Sequence, residues 1–130
     1  MPIAVDTNVL VRFLTNDEPR QAERARRLLR DNEILLAPTV LLETEWVLRF
    51  SYNFSAQAIH TAFEALLGLP NLETLHSHEV DRALHWYAGG MDFADALHLA
   101  LVSPACFRTF DGKLIKKANR LAPSQDVARP

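Results

Sequence analysis

The chain has 130 residues, 48% of them apolar and 23% charged, with a formal net charge of −2. That length suits a single domain with its own hydrophobic core, and the composition sets disorder aside. A single cysteine, Cys106, excludes an internal disulfide and points to a reducing, cytoplasmic setting. No uncharged stretch approaches the ~20 residues of a membrane span.

In chain order, Ile3 to Val5 reads as a short buried strand ending at Asp6. Thr7 or Asn8 offers an N-cap for a helix over Val9 to Leu14. Because Asp6, Asn8 and Arg12 interrupt this apolar run, it is no signal-peptide core. After the Asn16–Glu18 loop, Pro19 starts a helix to Arg30 with an apolar stripe of Ala22, Ala25, Leu28 and Leu29. Ile34 to Ala37 is a second strand, and Pro38-Thr39 opens a helix from Val40 to about Phe50. Ser55 caps a helix from Ala56 to Leu67, ended by Gly68 and Pro70. Leu72 to Leu75 is a third strand. Ser77 caps a helix to about Tyr87, Gly89-Gly90 breaks the chain, and Asp92 opens a helix that stops before Ser103-Pro104. Cys106 to Phe110 is a fourth strand ending at Asp111, with Cys106 expected in the core. A last helix covers Lys113 to Leu121. The tail, 122–130, is either an edge strand at Asp126-Val127 or loose. Trp46, Phe50, Phe63 and Trp86 fall in helical apolar stripes and are expected inside. Residues 1–130 thus read as one α/β domain with a small parallel sheet covered on both faces.

The distribution of charge says more than its total. From Pro104 onward six basic residues face two acidic ones, a net of +4, which leaves −6 for the rest. A second basic run, Arg20, Arg24, Arg26, Arg27 and Arg30, lies on one helix. Both are ordinary solvated faces or tracks for a phosphate backbone.

The acids carry the functional signal. Asp6 and Asp111 each follow a strand, and ligands of open parallel sheets bind outside the strands' carboxyl ends. Asp95 lies in the first turn of its helix, three residues after Asp92. Glu43 and Glu45 are two apart on a helix, so at most one of them points toward the other acids. Each acid alone has a simpler reading: Asp6, Asp92 and Asp111 as caps or turn residues, Glu43 as a partner of Arg49 or a surface residue. Together, clustered carboxylates repel one another, and a hard divalent cation relieves the repulsion. The histidines add little; His98 is expected in the core or partly exposed, and His76 and His78 form no ligand pair. There is no Gly-rich phosphate loop.

Four blocks in order bring in a resemblance. Ile3-Ala4-Val5-Asp6-Thr7-Asn8, Leu41-Leu42-Glu43-Thr44-Glu45-Trp46, Asp92-Phe93-Ala94-Asp95-Ala96-Leu97-His98 and Thr109-Phe110-Asp111 resemble the acidic blocks of PIN-domain ribonucleases. More narrowly, the chain looks like the VapC-type toxins of bacterial toxin–antitoxin pairs. The resemblance runs from Ile3 to about Leu121. It implies a three-layer α/β/α sandwich and a Mg- or Mn-dependent endoribonuclease. It also implies a homodimer and a cognate antitoxin. It selects Glu43 over Glu45 and Asp95 over Asp92, giving Asp6, Glu43, Asp95 and Asp111 as catalytic metal ligands. Asp92, Asn8 and Thr109 become accessory residues: Thr7 and Asn8 support Asp6, and Thr109 supports Asp111. Lys113, Lys116 and Lys117 track RNA.

Two other classes compete. A phosphotransfer receiver or small phosphohydrolase needs an acceptor aspartate at the end of a central strand, but the mid-chain strands end in Ala37 and Leu75. A module that only binds RNA or a partner has no need of all four acids.

Overall fold

A computed structural model describes all 130 residues. The chain is α/β, and it divides into two compact units, Met1–Ser77 and His78–Pro130.

The first unit is built on three parallel strands in the order β1-β2-β3: β1 (Ile3–Ala4), β2 (Ile34–Leu36) and β3 (Leu72–Thr74). Ile3 pairs with Ile34, and Leu36 pairs with Thr74. Parallel neighbours require long crossovers, and each crossover here is a pair of helices. α1 (Thr7–Thr15) and α2 (Pro19–Asp31) join β1 to β2, and α3 (Pro38–Phe50) and α4 (Ala56–Leu67) join β2 to β3. α1 packs on α2 and α3, and α4 packs on α3 and β3. Prolines occupy the first positions of α2 and α3, where a missing N–H costs nothing. Ser55 caps α4 by accepting from Ala58 N at 3.1 Å. The core includes Leu10, Val11, Ala22, Leu29, Leu36, Leu41, Leu48, Ile59 and Phe63. β1 itself is less buried than its sequence suggests: Val5 is inside, Ala4 exposed.

α3 departs most from its sequence pattern. Its inward stripe is Leu41, Thr44, Glu45 and Leu48, a helical face on which half the residues are polar. Thr44 returns its hydroxyl to Val40 O at 2.7 Å, and Glu45, only 1% exposed, holds Arg49 at 2.9 Å. Trp46 and Phe50, expected in the core, therefore sit outside at 56% and 57% exposure. Their rings lie 5.1 Å apart, and Arg49 lies over Phe50. Phe63 and Trp86 are buried as expected.

The second unit begins with α5 (Ser77–Ala88), whose first helical residue is Ser77 itself rather than a preceding cap. α6 (Phe93–Val102) follows the Gly89-Gly90 break, and Tyr87 meets Phe93 edge to face at 5.2 Å. β4 (Phe107–Arg108), α7 (Gly112–Leu121) and β5 (Val127–Ala128) form a second parallel crossover, with Phe107 paired to Val127. The tail is thus an edge strand, not loose. β4 is shorter than the apolar run from Cys106 to Phe110, and Cys106 is exposed beside Arg108 and Asp126 rather than in a core.

Candidate functional site

In the first unit all three strands run the same way, so the chain leaves their carboxyl ends on one side of the sheet. Asp6 follows β1 there, and α3 starts there after β2. Asp6, rather than Thr7 or Asn8, caps α1: its Oδ1 accepts from Val9 N at 3.2 Å. That bond uses one carboxylate oxygen and leaves Oδ2 for another partner. Thr7 does not support Asp6. Its hydroxyl donates to Oε1 of Glu43, which is exposed in the second turn of α3. This bond ties the residue next to Asp6 to the glutamate, and so brings Asp6 and Glu43 to one region. Arg49, the partner weighed for Glu43, belongs to Glu45 instead. Asn8 is exposed, and its side chain makes no bond to Asp6.

In the second unit the same device recurs twice. Asp111, after β4, caps α7 by accepting from Lys113 N at 3.0 Å and Leu114 N at 3.2 Å, both on Oδ1. The Thr109 hydroxyl supports it by accepting the Asp111 N–H at 3.0 Å. Asp92 caps α6 through Asp95 N at 3.2 Å. A cap of this kind stabilises a helix by about 1 kcal/mol. The structural reading of these aspartates as caps and the functional one are therefore compatible.

Asp95 is different. Burial pushes its carboxyl above the ordinary aspartate range, and the charges of Asp92 and then Asp111 push it further; His98 opposes them. His98 is exposed and lies near enough to act on Asp95. The second unit thus couples Asp92, Asp95 and Asp111 through their charges.

On α7, Lys113 and Lys116 are exposed, whereas Lys117 is half-buried over the Gly89-Gly90 turn. Arg120 donates to Gly89 O at 3.1 Å. Gly90 has φ +105°, and a Cβ there would come within 2.8 Å of Lys117 Nζ. The three lysines expected to act alike therefore divide into two solvated cations and one that packs the turn before Asp92.

The donors are hard oxygens, and two of the aspartates keep an oxygen outside their caps. Asp95 carries repulsion that a cation relieves. This donor chemistry fits a divalent ion of the magnesium or manganese kind. In neither unit do three such side chains close around a common point. Sequence reasoning missed the Thr7–Glu43 bond. Its only sequence signal was a hydroxyl directly after the strand-end aspartate.

Neither the curated proteins nor the solved structures gave a significant match. A family model described as PIN domain matches residues 3–119, a span that includes Asp6, Glu43, Asp92, Asp95 and Asp111. PIN domains are in general nucleases, often dependent on divalent metal ions. With nearly the whole chain matched, and its acids at the strand ends and helix starts just described, the protein belongs to the PIN domain family.

Proposed function

We propose that the protein is a metal-dependent endoribonuclease and the toxin of a toxin–antitoxin pair. Residues 1–130 then act as one nuclease domain. The observation that carries this reading is the family match, which runs through both units and takes in all the acids.

In this reading Asp6, Glu43, Asp95 and Asp111 hold Mg or Mn, with Asp92 as an accessory. A bound divalent ion supplies a water of lowered pKa and neutralises charge developing on the phosphodiester. The chain's own residues prepare for this. The Thr7 hydroxyl fixes the rotamer of Glu43. The caps made by Asp6 and Asp111 orient those carboxylates from rigid helix starts. A cation near Asp95 would favour the ionised form of its raised carboxyl. The exposed Lys113 and Lys116 meet the RNA backbone. The exposed apolar side chains Trp46 and Phe50 on α3 are the kind of surface that a second copy or a cognate antitoxin covers. The toxin role, the homodimer and the cytoplasmic setting rest on the resemblance of the four blocks and on the single cysteine.

The test is incubation of the purified protein with defined tRNAs and rRNA fragments, with manganese or with chelator, beside the Asp6→Asn variant. Asparagine caps a helix as well as aspartate does, so α1 survives the change. Cleavage is expected with manganese only and is expected to fall at least about a hundredfold in Asp6→Asn. Metal-dependent cleavage at the wild-type rate in Asp6→Asn overturns the assignment.

A further inference from the structure

Between α1 and α2 lies a groove of about 380 Å³, within the ~300–1,000 Å³ range of small-ligand clefts. Val9, Ala25 and Leu28 form its apolar floor, and Asn8, Gln21 and Arg24 line it with polar groups. We propose that this groove is a base-reading subsite for single-stranded RNA, holding a nucleobase adjacent to the scissile phosphate. The inference rests on the nuclease reading and adds sequence preference to it.

Three observations favour a base as the occupant. The first is position. Asn8 is two residues from Asp6, in the first turn of the same helix, so the groove opens beside a proposed catalytic carboxylate. A strand that brings its phosphate to Asp6 brings a neighbouring base to the groove.

The second is the charge on its wall. On α2, Arg26 and Arg27 hold Glu23, and Arg30 holds Asp31. Arg24 is exposed, with no carboxylate partner, at the groove. A guanidinium over an apolar floor offers a plane for stacking and donors for a base edge or phosphate.

The third is that the polar groups around Arg12 are already ordered. Arg12 is held by Asp17 at 3.0 Å and by Gln21 Oε1 at 2.7 Å, and Tyr52 closes the same network. With its Oε1 occupied, Gln21 keeps its amide N–H groups for a base edge. Asn8 has no protein partner and offers a second amide. Amides that present a donor and an acceptor together are suited to base edges.

The test is cleavage of a randomised single-stranded RNA by the full chain with manganese, using wild type, Arg24→Ala and Asn8→Ala. Both altered side chains are exposed and unbonded, and matching melting curves would confirm an intact fold. Wild type is expected to prefer one base at a fixed position beside the cut. In each variant that preference flattens, and kcat/KM on the preferred sequence falls roughly tenfold, on the scale of one stacked base. Making that position abasic costs wild type a similar factor and costs the variants nothing further. If Asn8 acted through Asp6 instead, its loss would be the same on abasic RNA, and the subsite would be overturned. Variants with wild-type rates and preference overturn it as well, and assign the groove to a protein segment. A wild type that cuts no RNA with metal removes the nuclease reading itself. A wild type that cuts while the variants match it removes the subsite alone.

Discussion

The two units share aspartate helix caps but differ in one acid. In Met1–Ser77, hydrogen bonds occupy the carboxylates: Asp6 takes the Val9 N–H, and Glu43 takes the Thr7 hydroxyl. In His78–Pro130, Asp95 is partly buried beside Asp92 and Asp111, and its carboxyl is raised by burial and by those charges. Both units fix carboxylates through hydrogen bonds, and the second adds electrostatic repulsion at Asp95. Either feature favours metal binding, because fixed ligands lower the ordering cost and relieved repulsion adds to affinity.

The comparison can be broken first at Thr7. Thr7→Val removes the donor that positions Glu43 and keeps the side-chain volume. Cleavage is expected to fall about 10–100-fold, as for other residues that orient metal ligands. The loss should lie in kcat, with RNA KM little changed, and Thr7→Ser should restore most of it. Wild-type kcat in Thr7→Val would show that Glu43 needs no such support.

In the second unit the equivalent weak point is backbone geometry. Gly90 holds φ +105° just before Asp92, under Lys117. Gly90→Ala should cost about 1–3 kcal/mol, read as a lowered denaturation midpoint. An unchanged midpoint would mean that the turn relaxes freely.

The smallest and most diagnostic effect is on stability without metal. The Asp95 carboxyl titrates above its unfolded value, so its contribution favours the fold below the unfolded pKa and is lost as pH rises through the folded one. At neutral pH wild type therefore carries a penalty that asparagine lacks. In chelator, Asp95→Asn should melt higher than wild type at pH 7, with the gain gone below roughly pH 4. A variant that melts lower at pH 7 would contradict the stored repulsion.

Much of the local structure was legible in the sequence because it rests on local chemistry. Pro19 and Pro38 start helices, Ser55 caps one, Gly89-Gly90 breaks the chain, and Asp92 opens α6. Burial was less legible because it depends on what each face meets. On α3 the inward stripe includes Thr44 and Glu45, satisfied by Val40 O and by Arg49, so an apolar count sent Trp46 and Phe50 to the wrong side. Cys106 was misplaced for a related reason. β4 begins one residue later, and the thiol is exposed beside Asp126 on the two-stranded ladder. Among the acids, their placement at strand ends and helix starts was readable. The local hydroxyl was readable too, since Thr109 serves Asp111 two residues away, but the distant one was not: Thr7 reaches across 36 residues to Glu43. The long-range bond needs the β2–α3 connection to return to the carboxyl end of β1, and no sequence window contains both.

The central claim is that Asp6 and Asp95 are each ligands of divalent metal. Manganese titration followed by electron paramagnetic resonance tests it directly, on wild type, Asp6→Asn and Asp95→Asn. Wild type is expected to bind manganese, and each variant is expected to weaken that binding by at least about tenfold. Wild-type manganese affinity in either variant would contradict the role of that aspartate as a metal ligand.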